Sequence, residues 1–360
     1  MLSSLLALPT CWEQIQKTEK PVVMYGMGNA ADRLIDILDG LGVKVLEFFA
    51  SDAFVRGHSF HGKRVKKLSE IEAEYDDFVI VVAFAVHDRP TMDAICRLNE
   101  RYELYAPDLP VAGENLFDRS FFSTHIKEFE TAYNNLADDR SREVFINLLR
   151  YKLTGRIDPL MKTEDDREEV LNTFFSPGEE ESFVDLGAYN GDTAKEFIDT
   201  CSGNFKELYA MEPDAKNFKK MQKRLDEAGF ENDPRIHLFN LAAWSEKTTL
   251  HFVAKAGRNS IVAAVGKEVL ADSVDNILNG APATYLKLDV EGSEREALFG
   301  AANTIKAHRP KILLSAYHRS EDLFALPAQI ESICPGYRFY LRRFPYIPAW
   351  EINFICIHDA

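Results

Sequence analysis

No stretch of this 360-residue chain strings together the ~18 apolar residues that a membrane-spanning helix needs, so a helical membrane protein is excluded. Cysteine is scarce. The five residues, Cys11, Cys96, Cys201, Cys334 and Cys356, are odd in number and scattered, with no C-x-x-C pair and no metal-ligand spacing. That usage excludes a disulfide framework and a zinc module, and reads as reduced thiols in a cytoplasmic protein. Positive charge is also in deficit: 42 Lys and Arg stand against 57 Asp and Glu, a net charge of −15. This argues against broad binding of nucleic acid or an anionic membrane surface, but leaves room for a local basic pocket. Repeats and low-complexity tracts are missing. The opening MLSSLLALPTCWEQ is apolar but short and has no basic leader, so no signal peptide is expected. What remains, 46% apolar and 28% charged residues, is the composition of a globular protein too long for one usual core, and two domains are expected.

The C-terminal half alternates strands and helices. The segment FVDLGAYNGDT (Phe183–Thr193) reads as a buried strand from Ser182 to Leu186, a glycine turn and a helix start. Gly187 and Gly191 allow a tight turn and a close approach of ligand to backbone, and Asp192 and Thr193 are suitable N-caps. A second strand, Lys206–Met211, ends at Glu212, about 20 residues beyond the turn, where nucleotide-binding sheets place the acid that takes ribose hydroxyls. A dinucleotide turn would read G-x-G-x-x-G and face a pyrophosphate. Here Asp185 precedes the first glycine and Asp192 stands at the helix entrance. Two carboxylates repel a pyrophosphate and suit a cationic, phosphate-free nucleoside, which describes S-adenosylmethionine. Further strands are expected at Ile236–Ala243, Thr248–Val253, Thr284–Val290 and Lys311–Tyr317, with helices over Asp214–Gly229, Ser293 to about His308, and Leu323–Ile333. Tyr337–Arg342 and Ile352–Ile357 follow without a helix between them and form an antiparallel pair.

The N-terminal half contains a second unit of the same kind. Pro21–Leu38 reads as strand, Gly26-x-Gly28-x-x-Ala31 turn and amphipathic helix, and Val43–Asp52 as a strand ending in an acid. FVIVVAF (Phe78–Phe84) is a third strand, followed by a helix near Asp88–Asn99. Gly26, Gly28 and Asp52 therefore form a candidate second nucleotide site, against the alternative of a sheet that binds nothing. His58, His61, Lys63 and Arg64 either meet phosphates or form a solvated loop. Helices are expected over Glu114–Leu136, Arg140–Leu153 and Glu164–Phe174, before a Ser176-Pro177-Gly178 break. Their aromatic residues pack the two sheets together rather than form a cofactor box, or face another subunit of a homo-oligomer. The division is 1–112, a Rossmann-like domain; 113–176, a helical connector; and 177–360, the nucleoside-binding domain.

FVDLGAYNGDT, YAMEPD, NLAAWS, YLKLDVEGSEREALFGA and RPKILLSAYHRSEDLFALP together resemble the FkbM family of methyltransferases, from about Glu181 to His358. LKLDVEGSE is the most specific piece. The resemblance implies a class I methyltransferase fold, a Rossmann-like parallel sheet ending in an antiparallel hairpin. It implies S-adenosylmethionine bound by Asp185, Gly187, Gly191 and Glu212, with Ala242 lining the adenine, and methyl transfer to a hydroxyl of a sugar, polyketide or similar metabolite. The GMGN, FFASD and SFHGKRV segments also resemble the N-terminal domains of bacterial sugar acyltransferases, which implies a nucleotide sugar in the first unit.

Methyl transfer from a sulfonium needs the acceptor oxygen held in line and relieved of its proton. In open α/β sheets the ligand lies beyond the carboxyl ends of the strands, and the ends of the fourth and fifth strands bring Asp289, Glu291 and His318 together. His318 is the candidate base, with an ordinary pKa near 6.5, and Asp289 orients it or touches donor and acceptor. Glu291 either joins them or caps the helix starting at Ser293. The same three side chains have the chemistry of metal ligands, but without a fixed spacing none is expected. The competing functions are a nucleotide-dependent oxidoreductase or epimerase working from the N-terminal turn, and a non-catalytic binding protein on a methyltransferase fold. The expected partner is a small-molecule or glycan acceptor, a nucleotide sugar among the candidates.

Overall fold

The computed structural model describes residues 2–175, 178, 180–254, 260–263 and 266–359. The N-terminal half forms a parallel sheet of β1 (Val22–Tyr25), β2 (Val45–Phe49), β3 (Val79–Val82) and β4 (Glu103–Tyr105), in the order β2-β1-β3-β4. VVMY and VIVV are buried at every position, as unbroken apolar runs in a sheet covered on both faces should be. Helices Asn29–Gly40 and Arg89–Arg101 follow β1 and β3, the second capped by Asp88, which accepts from Thr91 N at 3.0 Å.

The connector differs from its expected outline. The helix expected over Glu114–Leu136 is two, Arg119–Thr124 and Ile126–Asn134, because Asp118 caps the first by accepting from Phe121 N and the chain breaks at His125. Asp139–Thr154 ends at Gly155, where a Cβ would stand 2.9 Å from Cys11 Cβ. Asp158–Met161 and Arg167–Phe175 follow. Residues 176 and 177 of the expected break lie outside the described residues. Phe117, Phe122, Phe129 and Phe145 are buried within the chain, so they pack its interior and are not available to another subunit.

The C-terminal sheet has seven strands: β5 (Ser182–Leu186), β6 (Glu207–Met211), β7 (Ile236–Phe239), β8 (Tyr285–Leu288), β9 (Lys311–Ser315), β10 (Tyr337–Arg343) and β11 (Ile352–His358). Their order is β10-β11-β9-β8-β5-β6-β7. β11 runs antiparallel to both β9 and β10, and the other pairings are parallel. Alternation assigns the two faces. Val184, Leu186, Leu286, Leu288, Ile312 and Leu314 join a core that continues through the connector helices to β1 and β3, while Phe183, Leu208, Ala210 and Leu313 face a smaller core against helix Asp192–Thr200.

Three expectations need correction. Ile236–Ala243 is not one strand: Asn240 Nδ2 donates to the carbonyls of Glu212 (2.8 Å) and Pro213 (3.1 Å), and Ala242–Ala243 pairs instead with Lys267–Asp272. That pairing belongs to a separate small sheet with Thr248–Ala254 and Ser260–Ala263. The helix from Ser293 is broken into Glu294–Gly300 and Ala302–His308, and Gly300 lies so close to Trp244 O that a Cβ there would stand 1.9 Å from it. Helix Asp192–Thr200 takes Gly191 as its cap position, so Asp192 is its first residue. Among the described residues no helix is long and apolar enough to cross a membrane.

Candidate active site

A cavity of about 1040 Å³ opens beyond the carboxyl ends of β5, β6, β8 and β9, where the sheet geometry leaves backbone ends and turns to meet a ligand. Gly187, Asp192, Thr193, Glu212, Ala242, Asp289 and Glu291 line it. Asp185, Gly191 and His318 lie behind its wall.

The glycines serve packing. A Cβ on Gly187 (φ +80°) would stand 1.9 Å from Asp289 O, and one on Gly191 (φ +78°) 2.8 Å from Met221 Cγ. The missing side chains thus make room for the end of β8 and for helix Ala215–Glu227. Gly187 still presents its backbone to the cavity.

Asp185 is wholly buried and sits 3.0 Å from Lys287 Nζ, which also donates to Gly187 O at 2.9 Å. Burial pushes the Asp185 carboxyl up, against the pull of Lys287; the Lys287 ammonium is held up by Asp185 and Asp289 against its own burial. The expected pair of free carboxylates is therefore one, Asp192, since the charge of Asp185 is matched by Lys287. Lys287 could have been noticed, because a lysine inside TYLKLDV requires a buried partner.

Glu212, 6% exposed, accepts from Tyr189 N and Asp214 N, both at 2.8 Å, and so ties the glycine turn to the end of β6. Burial lifts its carboxyl to about 7, although the two amides pull it down. Asp214 caps the next helix through Lys216 N and Asn217 N.

At the ends of β8 and β9 an imidazole stands among three carboxylates. His318 Nδ1 is 2.9 Å from Glu294 Oε1, and Nε2 is 3.5 Å from both Asp289 Oδ1 and Glu291 Oε2. Burial alone would lower its pKa, but Glu294, Asp289 and Glu291 outweigh that and raise it to about 10. The titration near 6.5 expected of a free imidazole does not survive these surroundings. Burial pushes Asp289 up, but Lys287, His318 and the Tyr317 hydroxyl, which donates to Oδ1 at 3.2 Å, leave it below the ordinary carboxylate value. Burial lifts Glu291 to about 7 against the pull of His318. The turn is fastened by Glu294, whose Oε1 accepts from Val290 N and Gly292 N, so Glu291 (φ +56°) is not the cap. Donor atoms of Asp289, Glu294 and His318 lie within 4.8 Å of one another. The two carboxylates face different ring nitrogens, an arrangement that holds an imidazolium better than it shares one cation.

Several wall residues had no signal in the sequence. Tyr346, Trp350, Glu351 and Asn353 come from the β10–β11 hairpin, and His87 comes from the N-terminal half.

The candidate second site is dispersed. A cavity of about 330 Å³ is lined by Tyr25, Ser51, Asp52 and Arg97, but not by Gly26 or Gly28. The Cβ direction of Gly26 is filled by Phe84, and Asp52 is an exposed partner of Lys67 at 3.3 Å. His61 pairs with Asp32, Arg64 with Glu70, His58 Nε2 meets Met27 Sδ, and Lys63 donates to the Val45 carbonyl.

A parallel sheet closed by an antiparallel hairpin, with its cavity at the strand ends, defines a class I methyltransferase fold. Residues 185–341 match the family model described as the methyltransferase FkbM domain, and this segment is an FkbM-type methyltransferase domain. The crystal structure of methyltransferase FkbM from Methylobacillus flagellatus KT is similar over 94% of this chain and 90% of that one, at 24% identity and a TM-score of 0.72. An rRNA methylase from Streptococcus thermophilus matches at 13% identity over 54% of this chain and 98% of that one, with a TM-score of 0.37. Precorrin-6y C5,15-methyltransferase from Geobacter metallireducens GS-15 matches at 11% identity over 53% and 87%, with a TM-score of 0.35. No curated protein sequence matches the chain.

Proposed function

We propose that the chain is an S-adenosylmethionine-dependent O-methyltransferase whose acceptor is a hydroxyl of a sugar-like or related metabolite. The observation that carries this reading is the cavity itself, which brings Glu212 and Asp192, from beyond β6 and β5, together with Asp289 and Glu291, from beyond β8. Bound S-adenosylmethionine supplies an electrophilic methyl group on a sulfonium cation, a charge that four carboxylates suit. Glu212 keeps lone pairs beyond those used by Tyr189 N and Asp214 N, and would take the ribose hydroxyls. Ala242 leaves room for the adenine, and Asp192 and Thr193 line the cavity where the rest of the nucleoside would lie.

On the acceptor side Asp289 stays ionised and holds the hydroxyl in place. His318, already protonated, has no free lone pair to act as a base; it anchors Asp289 and Glu291 from behind. Glu291 reaches the cavity and changes protonation near neutrality, so it receives the proton of the acceptor hydroxyl. Calorimetry with S-adenosylhomocysteine tests the donor half. Wild type should bind, and Glu212→Gln should bind ~10–100-fold more weakly, the worth of a charge-assisted hydrogen bond. Unchanged affinity would remove Glu212 from the site, and no binding by wild type would overturn the reading.

A further inference from the structure

The wall of the cavity opposite the nucleoside side is built by two distant parts of the chain. Val86 and Ile347 form an antiparallel bridge, Val86 N donating to Ile347 O at 2.7 Å and Ile347 N to Val86 O at 2.9 Å. The bridge brings His87, from just after β3, onto Tyr346, with ring centroids 5.5 Å apart and planes 28° apart. Tyr346 contacts Trp350 at 5.5 Å, Trp350 lies 6.3 Å from Tyr317, and the Tyr317 hydroxyl donates to Asp289. Aromatic rings therefore run from the N-terminal sheet to the carboxylate at the centre of the site, and all four line the cavity.

The unmatched charges among the described residues here are carboxylates. Asp289, Glu291 and Glu351 face the cavity, and Trp350 Nε1 is a buried donor without a hydrogen-bond partner. The cations that reach this side are already matched, Arg167 by Glu196 at 2.9 Å and Lys287 by Asp185 at 3.0 Å. Lys216 and Lys220 lie on the helix after β6, on the nucleoside side of the sheet order, and Lys267 stands in the small sheet, on the strand that pairs with Ala242–Ala243. Aromatic faces with a few hydrogen-bonding groups hold a ring by stacking and fix its orientation through its polar substituents. A phosphate or carboxylate on that ring would meet three carboxylates and, among the described residues of this side, no unmatched cation.

Resting on the methyltransferase reading, we infer that His87 of the N-terminal half completes the acceptor subsite, and that this subsite takes a hydroxylated ring that is neutral or cationic and rejects an anionic one. The N-terminal half is thus part of the acceptor's recognition surface.

Saturation-transfer NMR on the full chain tests this, with and without S-adenosylhomocysteine. The probes are methyl β-glucopyranoside (neutral), glucosamine (cationic), and glucuronate and glucose 6-phosphate (both anionic). The neutral and cationic probes should receive saturation at their ring C–H protons, and the anionic ones should not. His87→Ala removes an exposed side chain and should fold; it should weaken binding of the neutral probe ~5-fold, the worth of one aromatic face, and leave S-adenosylhomocysteine affinity unchanged. Trp350→Phe keeps a ring but loses the indole donor, and should also weaken the neutral probe. Equal binding of anionic and neutral probes, no binding of the neutral and cationic ones, or an unaltered His87→Ala would overturn the inference. Failure of S-adenosylhomocysteine to bind wild type would instead sink the donor reading, while the glycoside comparison without it still decides the wall.

Discussion

The chain contains the same device twice, a buried parallel strand, a glycine turn and an acid at the end of the next strand, and the two copies differ in what surrounds the acid. In the C-terminal copy the acid is buried. Glu212 accepts from the turn's Tyr189 N, so turn and neighbouring strand are one unit facing a cavity of about 1040 Å³. In the N-terminal copy the acid points outward. Asp52 is paired with Lys67 in solvent, and the nearby cavity of about 330 Å³ excludes both glycines. The glycines follow the fold in both copies. What distinguishes the C-terminal copy is an acid buried enough to hold the turn, and a second set of charged groups across the cavity from it.

The largest expected effect tests whether burial makes the difference. Lys287→Met leaves Asp185 alone in the core and should cost about 3–5 kcal/mol of stability in urea unfolding, the range for breaking one side of a buried pair. Lys67→Met, at the exposed N-terminal pair, should change stability by less than about 1 kcal/mol. Similar losses would erase the contrast.

Next is chemistry. If Glu291 takes the proton, the methyl-transfer rate should rise with pH through about 7, because the protonated carboxyl that dominates below that value cannot accept it. Glu291→Gln should slow transfer by roughly 10²–10⁴ and remove the inflection, with donor affinity kept. A rate that still rises through neutrality in Glu291→Gln would assign the titration to another group.

A smaller effect separates the turns. Gly191→Ala combines a positive φ with Met221 at 2.8 Å and should cost roughly 2–4 kcal/mol, while Gly28→Ala meets no atom within 4 Å and should cost only the backbone strain of a region that glycine alone takes, about 1–3 kcal/mol. The smallest is Asp52→Ala, for which calorimetry should find unchanged S-adenosylhomocysteine affinity.

Much of the C-terminal half was legible because its signals are local. Strands such as SFVDL and KILLS are short buried runs, Asp214 announces its helix, and the acids at the strand ends stand where a parallel sheet must present them. The departures are tertiary. Nothing within IHLFNLAA shows that Asn240 will bind the carbonyls of Glu212 and Pro213 and turn the chain out of the sheet. The imidazole of His318 could be placed at a strand end, but its charge depends on Glu294, which a reading of the turn alone leaves in the following helix. The contribution of His87 depends on a bridge between residues 86 and 347, a separation no motif spans.

β10 is the last strand of the seven-stranded sheet, and its outer side is not bare. Ala137 N donates to Phe339 O, Leu341 N to Ser141 Oγ, Arg343 N to Asp165 Oδ2 and Asp165 N to Arg343 O, at 2.8 to 3.0 Å, while Arg342 grips Asp138 at 2.6 Å. The connector therefore answers the free amides and carbonyls of an edge, the groups through which sheets of separate molecules join. A methyltransferase half cut free at its own first strand would carry that edge uncovered. Even with every group of the cavity in place, it would be prone to associate strand to strand, and the helices between the two sheets act as its guard against aggregation.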